Sequence, residues 1–218
     1  MKRIKLLGLL LALMMLIALP ACGGNETTAG DGQTGSGAGV TADMYQPPAL
    51  DESLTYFADI EIKDYGTITV ELDQTAAPIT VANFVDLAQS GFYDGVTFHR
   101  IMAGFMMQGG DPEGTGMGGS ENNIYGEFAS NGFENNLSHT RGAISMARAN
   151  DPNSGSSQFF ICHADSTFLD GDYAAFGYVT EGIEVVDAVC EAAQPTDNNG
   201  TIPAEEQPVM TSVKIRTE

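Results

Sequence analysis

The chain has 218 residues, and its 29 acidic side chains outweigh nine Lys and Arg to give a net charge of −20 with histidines neutral. So few cations exclude non-specific binding of nucleic acid, which needs clustered positive charge, and anionic lipid headgroups would repel the body. The length allows one domain of ordinary size after any targeting segment is removed.

Residues 1–22 are expected to lie outside the fold. Lys2, Arg3 and Lys5 precede an apolar run of 14 residues, 6–19, which is too short for an ordinary membrane span but suits a signal peptide. The run ends Leu19-Pro20-Ala21-Cys22, which resembles a bacterial lipobox, although Pro20 departs from the usual small residue. The resemblance implies cleavage before Cys22, lipidation of that cysteine, and an extracytoplasmic chain anchored to the bacterial cell membrane. The plainer alternative is a secretory signal cut after a nearby alanine. Removing the signal leaves six bases against 29 acids, a charge of −23. Residues 23–52 begin rich in Gly, Ser and Thr and are assigned to a tether. A coil of about 25 such residues reaches roughly 25–30 Å. Pro47-Pro48 are expected to close it in an extended segment.

The body runs over 53–218. Residues 56–63 and 67–73 alternate apolar and polar, with Asp64-Tyr65-Gly66 as a hairpin turn. From 78 to 89 the period becomes helical, with Val81, Phe84, Val85 and Ala88 on one face, Pro78 in the first turn and Gly91 at the end. Strands are predicted over 96–102, 105–108, 143–147, 158–162, 176–179 and 209–216, and a second helix over 183–192. Many short strands with two separated helices indicate an antiparallel barrel or sandwich with helical caps.

The most informative stretch is V-T-F-H-R-I-M-A-G-F-M-M-Q-G-G-D, residues 96–111. It sets one guanidinium, Arg100, a few residues from Phe105, Met106 and Met107, followed by the amide of Gln108. It holds no candidate nucleophile and no paired carboxylates. One fixed cation, one amide and an apolar wall suit a reaction in which no covalent bond breaks. By default such apolar residues are core, and alternation assigns Met107 to it. The glycines of 114–119 match G-x-G-x-x-G, but no apolar helix follows, so a surface loop is expected rather than a dinucleotide site. Asp111 and Glu113 beside Gly and Pro read as turn residues. Cys162 and Cys190 are read as buried free thiols, and neither has C-x-x-C spacing. If the strand continues past Cys162, His163 points to the opposite face and cannot serve that thiol as a base. The three histidines lack metal-ligand spacing, so no metal and no cofactor are expected.

The motifs F-H-R-I (98–101), G-F-M-M-Q-G-G-D (104–111), I-S-M-A (144–147), S-Q-F-F-I (157–161), F-L-D-G (168–171) and F-G (176–177) occur in order. In them the chain resembles the cyclophilin-type peptidyl-prolyl cis-trans isomerases over about 56–215. The resemblance implies a mainly β fold, a closed eight-stranded antiparallel barrel capped by two helices. It makes Arg100 the catalytic guanidinium and Gln108 a partner for the substrate backbone. Phe105, Met106, Phe160 and Leu169 become the wall of a proline pocket. Ala147 and Arg148 present main chain to the peptide, and Gln158 lies at the rim. Three positions depart from many members. Phe168 stands for tryptophan, which implies cyclosporin binding weakened more than catalysis. Tyr173 stands for histidine at the pocket edge, and Arg148 for asparagine. The loop 150–157 is one residue longer.

The expected function is isomerisation of X-Pro bonds in unfolded or secreted polypeptides outside the cytoplasm. An alternative is a membrane-tethered module or chaperone that binds proline segments with little turnover. A third, remote reading is a hydrolase using Cys162 or a histidine. The acidic body suits a soluble surface in a salty medium, or a preference for basic clients. Since the implied groove residues include no group that titrates near neutrality, turnover is expected to vary little between about pH 6 and 8.

Overall fold

The structure is a computed structural model that describes residues 44–218. The signal and lipidation assignments, Cys22 included, fall outside the described residues. Eight strands form one antiparallel sheet: β1 (Tyr56–Ile62), β2 (Gly66–Leu72), β3 (Thr97–Met102), β4 (Met106–Asp111), β5 (Ala143–Met146), β6 (Phe159–Cys162), β7 (Ala174–Glu181) and β8 (Met210–Thr217). Helices α1 (Pro78–Gln89) and α2 (Ile183–Ala192) follow β2 and β7. The strand order is β3-β4-β6-β5-β7-β2-β1-β8. The expected closed barrel needs a correction. The end strands meet only through the bridge Thr97↔Val209 and a few backbone bonds such as Met210 N–H to Val96 O (2.8 Å), so the sheet curls without a continuous closing ladder. The turn of chain before β8 carries Pro208, which has no N–H to donate to such a ladder.

The concave side is filled with side chains. Ile60, Ile68, Val70, Phe98, Ile101, Met107, Ile144, Phe159, Ile161 and Phe176 are all fully buried in one cluster with the inner faces of both helices. Phe84 of α1 anchors it, with ring centroids 5.2 Å from Tyr93 and 5.4 Å from both Phe159 and Phe176. Aromatic contacts at such spacing add stability beyond their buried area. Met107 lies in this core, as strand alternation predicts.

The body begins earlier than the sequence indicates. Tyr45, Leu50 and Leu54 pack on the core, and the Tyr45 hydroxyl donates to Asp86 on α1 (3.3 Å). The segment from 44 is extended, as its prolines require, but it is docked on α1 and is not tether.

Helix α1 starts after Ala77, which has no capping side chain. Its first N–H groups are satisfied from 47 residues away. The buried Glu127 carboxylate accepts from Ile79 N–H (2.9 Å), Thr80 N–H (2.8 Å) and the Thr80 hydroxyl (2.7 Å). A carboxylate here meets unpaired donors and the positive end of the helix dipole together. Removing it leaves two buried donors and one part-buried donor unpaired. Glu127→Ala is therefore expected to cost about 2–3 kcal/mol of stability, with Glu127→Gln in between. Denaturant unfolding of the three proteins checks this, and equal midpoints for the alanine variant and the natural chain would refute the capping role.

Candidate active site

Strands β3 and β4 form a hairpin closed by 103–105. Gly104 takes φ 80°, which glycine adopts without steric cost, and Phe105 N–H donates to Met102 O (2.9 Å). In an unbroken strand Phe98 and Arg100 would share one face and Ile101 would take the other. Instead Phe98 pairs with Gly109 and Arg100 with Gln108, so His99 is an extra residue in β3. This bulge lets Phe98 and Ile101 both enter the core while Arg100 turns outward. Re-aiming one side chain is a recurrent use of bulges. Gly109 is required opposite it, since a Cβ there would lie 2.7 Å from Thr97 O and 2.9 Å from the Phe98 ring.

The pairing continues across the sheet: Gln108 opposite Phe160, and Phe160 opposite Ser145. Arg100, Gln108 and Phe160 thus form a row on the outer face, backed by the core row Ile101, Met107, Ile161 and Ile144. Met106 is one pair along, opposite Met102 and Cys162. Together with Phe105, Ala147, Arg148, Leu169 and Tyr173 they line a hollow of about 140 Å³. Nine residues assigned from sequence therefore converge here. Gln158 stands beside the hollow, joined to it through Gln108 Nε2–H to Gln158 Oε1 (2.9 Å). Phe168 does not line it. That side chain is 71% exposed, its ring 5.6 Å from Phe105 at the outer edge.

Arg100 is half-buried and has no carboxylate within ion-pair distance among the described residues. Nε donates to Asn199 O (2.7 Å), and Nη1 to Gln108 Oε1 (3.2 Å). Nη2 lies against Met102 Sδ (3.4 Å). Burial lowers the guanidinium pKa, opposed by Tyr173 and Asp197, but an arginine stays ionised throughout the physiological range. The cation is thus fixed by neutral partners, with Asp197 acting on it only from beyond ion-pair distance. The loop that supplies Asn199 is organised by Asp197, which accepts from Asn199 N–H (2.9 Å), Thr201 N–H (3.0 Å) and Thr201 Oγ1 (2.9 Å). D-N-N-G at 197–200 was its only sequence signal, a turn.

Phe160 is held from behind. The buried His139 ring stacks on it, centroids 5.9 Å apart and 18° from parallel. His139 Nδ1 is 2.7 Å from Asp170 and Nε2 is 2.9 Å from Ser145 Oγ. A serine, a histidine and an aspartate in sequence of contact suggest acyl chemistry, but Ser145 and the His139 ring are fully buried. No substrate carbonyl reaches that hydroxyl, so the set is a brace. Asp111 likewise is more than an exposed turn residue. It is fully buried, and accepts from Glu113 N–H (2.8 Å), Thr115 N–H (3.0 Å), Gly116 N–H (2.6 Å) and Gly118 N–H (3.2 Å), ordering the glycine loop beside the hollow. These four donors hold its carboxyl below the usual range against the opposing effect of burial. No sequence pattern flags that role.

Nucleophilic chemistry has no support here. Cys162 and Cys190 are buried and free, and burial pushes both thiols up to about 12. His163 is not beside Cys162 as a base. Its Nδ1 accepts from Gly104 N–H (2.8 Å) and its Nε2 faces Asp187 (3.2 Å). No three His, Cys, Asp or Glu side chains cluster as metal ligands among the described residues.

Comparison with known proteins agrees with this geometry. Residues 57–217 match the family model described as cyclophilin type peptidyl-prolyl cis-trans isomerase/CLD. A peptidyl-prolyl cis-trans isomerase of Helicobacter pylori is 46% identical over 142 residues, 64% of this chain and 85% of that protein. A peptidyl-prolyl cis-trans isomerase-like 1 of Neurospora crassa is 44% identical over 154 residues, 70% of this chain and 91% of the other. Among solved structures, a cyclophilin type isomerase of Cryptosporidium parvum, crystallised in the presence of the dipeptide Ala-Pro, superposes with a TM-score of 0.65 at 30% identity. That match covers 74% of this chain and 99% of the other. The chain belongs to the cyclophilin-type peptidyl-prolyl cis-trans isomerases. It is a mainly β enzyme of that class, with the hollow bordered by Arg100 on the outer face of the curled sheet.

Burial depresses the pKa of His139 below its ordinary 6.5 in spite of Asp170, and that of His99 in spite of Asp111. Each ring is neutral in the fold where the unfolded chain already begins to protonate. Their contribution to stability is complete above about pH 6.5 and is lost as pH falls through that value towards the folded pKa values. Ring titration by NMR is expected to show both histidines titrating below 6.5. Either one titrating above it would contradict the burial argument.

Proposed function

We propose that this enzyme isomerises X-Pro bonds of unfolded or secreted polypeptides outside the cytoplasm, with Arg100 stabilising the twisted imide. The observation that carries the reading is a half-buried guanidinium with no carboxylate within ion-pair distance among the described residues, set beside an amide at an apolar hollow. Twisting the imide removes the resonance that gives the peptide bond its ~18–20 kcal/mol rotation barrier. The nitrogen then becomes pyramidal and acquires a lone pair. A donor fixed near that nitrogen favours the twisted state over both planar ones, which is the condition for catalysis. A thousandfold acceleration requires about 4 kcal/mol. One preorganised donor in a water-poor site contributes roughly 3–4 kcal/mol by analogy with oxyanion holes.

The remaining residues hold the substrate. Phe105, Met106, Phe160 and Leu169 grip the proline ring, so that rotation is confined to the preceding carbonyl. Gln108 and the main chain of Ala147 and Arg148 take the peptide backbone. The Cryptosporidium relative crystallised in the presence of Ala-Pro, which supports a proline ligand. Phe168, exposed and without an indole N–H, leaves cyclosporin binding weak. Lipidation at Cys22 would hold the enzyme at the membrane surface where secreted chains emerge.

Arg100→Ala is expected to lower kcat/KM for an X-Pro peptide by about 10²-fold or more while the circular dichroism spectrum is unchanged. Arg100→Lys recovers part of the loss, because the charge returns without the fork. Full turnover in folded Arg100→Ala would remove the assigned role. The location is tested by labelling cells with a radioactive fatty acid. The natural chain should incorporate label and sediment with membranes, and Cys22→Ser should do neither; an unlabelled, soluble natural chain would refute the anchor.

A further inference from the structure

Beyond Gln108, Ala147 and Arg148 the hollow gives onto a second depression of about 360 Å³, walled by the glycine loop and by Ser154, Ser156 and Gln158. Arg148 stands on the divide between the two. Its Nε donates to Asp172 O (2.9 Å) and its Nη1 to Ala149 O (3.0 Å). The guanidinium carbon lies 4.7 Å from the Tyr173 ring centroid and 5.1 Å from that of Phe128. These contacts fix its plane, and its remaining N–H groups have no acceptor among the described residues.

The charge distribution is as uneven as the geometry. Three of the 29 acids and three of the nine bases precede residue 44, leaving 26 and six. No acid lines either depression, yet two of the six bases, Arg100 and Arg148, do. Arg141 and Arg216 elsewhere are paired with Asp187 and Asp59, whereas Arg100 and Arg148 have no carboxylate within ion-pair distance among the described residues. The groove is therefore a cationic strip on a strongly acidic body.

We propose that Arg148 makes this groove select proline peptides that carry a carboxylate side chain within two residues of the proline. An extended peptide advances about 3.3 Å per residue, so a neighbour of the seated proline falls over the divide. The planar guanidinium matches a carboxylate, and its existing contacts spare it the entropy of being ordered on binding. The body's negative field opposes approach of an acidic peptide, but at physiological salt that field is screened beyond about 8 Å. The preference is thus a short-range one, expressed in the bound complex. The inference rests on the isomerase reading of the same hollow for its kinetic readout.

The test uses the full chain and matched peptides with Glu, Gln or Lys placed one or two residues before, or one after, a single proline, with exchange measured by NMR at about 0.15 M salt. At one of these positions the Glu peptide is expected to exceed the Lys peptide in kcat/KM by about three- to tenfold, mainly through KM, with Gln between them. Arg148→Met keeps the stem over Tyr173 and should bring the ratio close to one. Arg148→Lys should retain part of it. Comparing peptides within each variant cancels any general loss of activity. Equal values for Glu and Lys in the natural chain, or a ratio that Arg148→Met leaves intact, overturns the proposal. If the natural chain turned over no peptide, the isomerase reading would fail, and the same Glu and Lys peptides would be compared by chemical-shift titration. Equal affinities there would overturn the acidic preference as well.

Discussion

Register across β3, β4, β6 and β5 is the constraint on which the site depends. Side chains alternate along each strand, so a slip of one residue would exchange the core row for the groove row. Ile101, Met107, Ile161 and Ile144 hold the register because all four are fully buried. Arg100, Gln108 and Phe160 are then delivered to the opposite face as a consequence. The bulge at His99 is a departure from regular alternation that decouples Arg100 from Phe98. His99 Nδ1 is left buried without a partner among the described residues, while the backbone of the bulge is held by Ile202 N–H to His99 O (3.0 Å) and Ile101 N–H to Gly200 O (2.8 Å).

Given that frame, the chemistry follows from a small number of neutral contacts. An arginine paired with a carboxylate would have its charge compensated and its donors occupied. Here a backbone carbonyl, an amide oxygen and two thioether sulfurs orient the fork and leave the charge free. Each of those partners is itself secured: Asn199 by the Asp197 turn, Gln108 by Gln158, and the wall at Phe160 by His139. The orientation of this cation and wall is thus distributed over Asp197, Gln158 and His139, none of which lines the hollow.

The acidic body and the cationic groove also belong together. A net charge far from zero disfavours self-association. Among the described residues no acid borders the hollow, and screening confines the body's field. The substitution of arginine and tyrosine at 148 and 173 forms a stacked pair that stiffens the pocket edge and adds a second charge there.

The elements themselves were legible in the chain. Period-two alternation marked β1 and β2, and Pro78 and Gly91 bounded α1, because a strand or helix of ordinary regularity writes its period into its own residues. The ordered motifs also identified the members of the hollow, since each lies at a fixed offset within one strand or turn. The placement of Phe168 outside the hollow, the extra residue at His99, the buried Asp111 and Glu127, and the docking of 44–52 on α1 were not legible. Nor was the incomplete closure between β3 and β8. Each depends on what a residue meets from a distant part of the chain: two residues facing one across a ladder, four N–H groups around one carboxylate, a helix end 47 residues away. Local sequence determines which face a residue prefers. Only the packed tertiary structure decides what occupies the other side of that face, and with it whether a charge is capped, braced or left free.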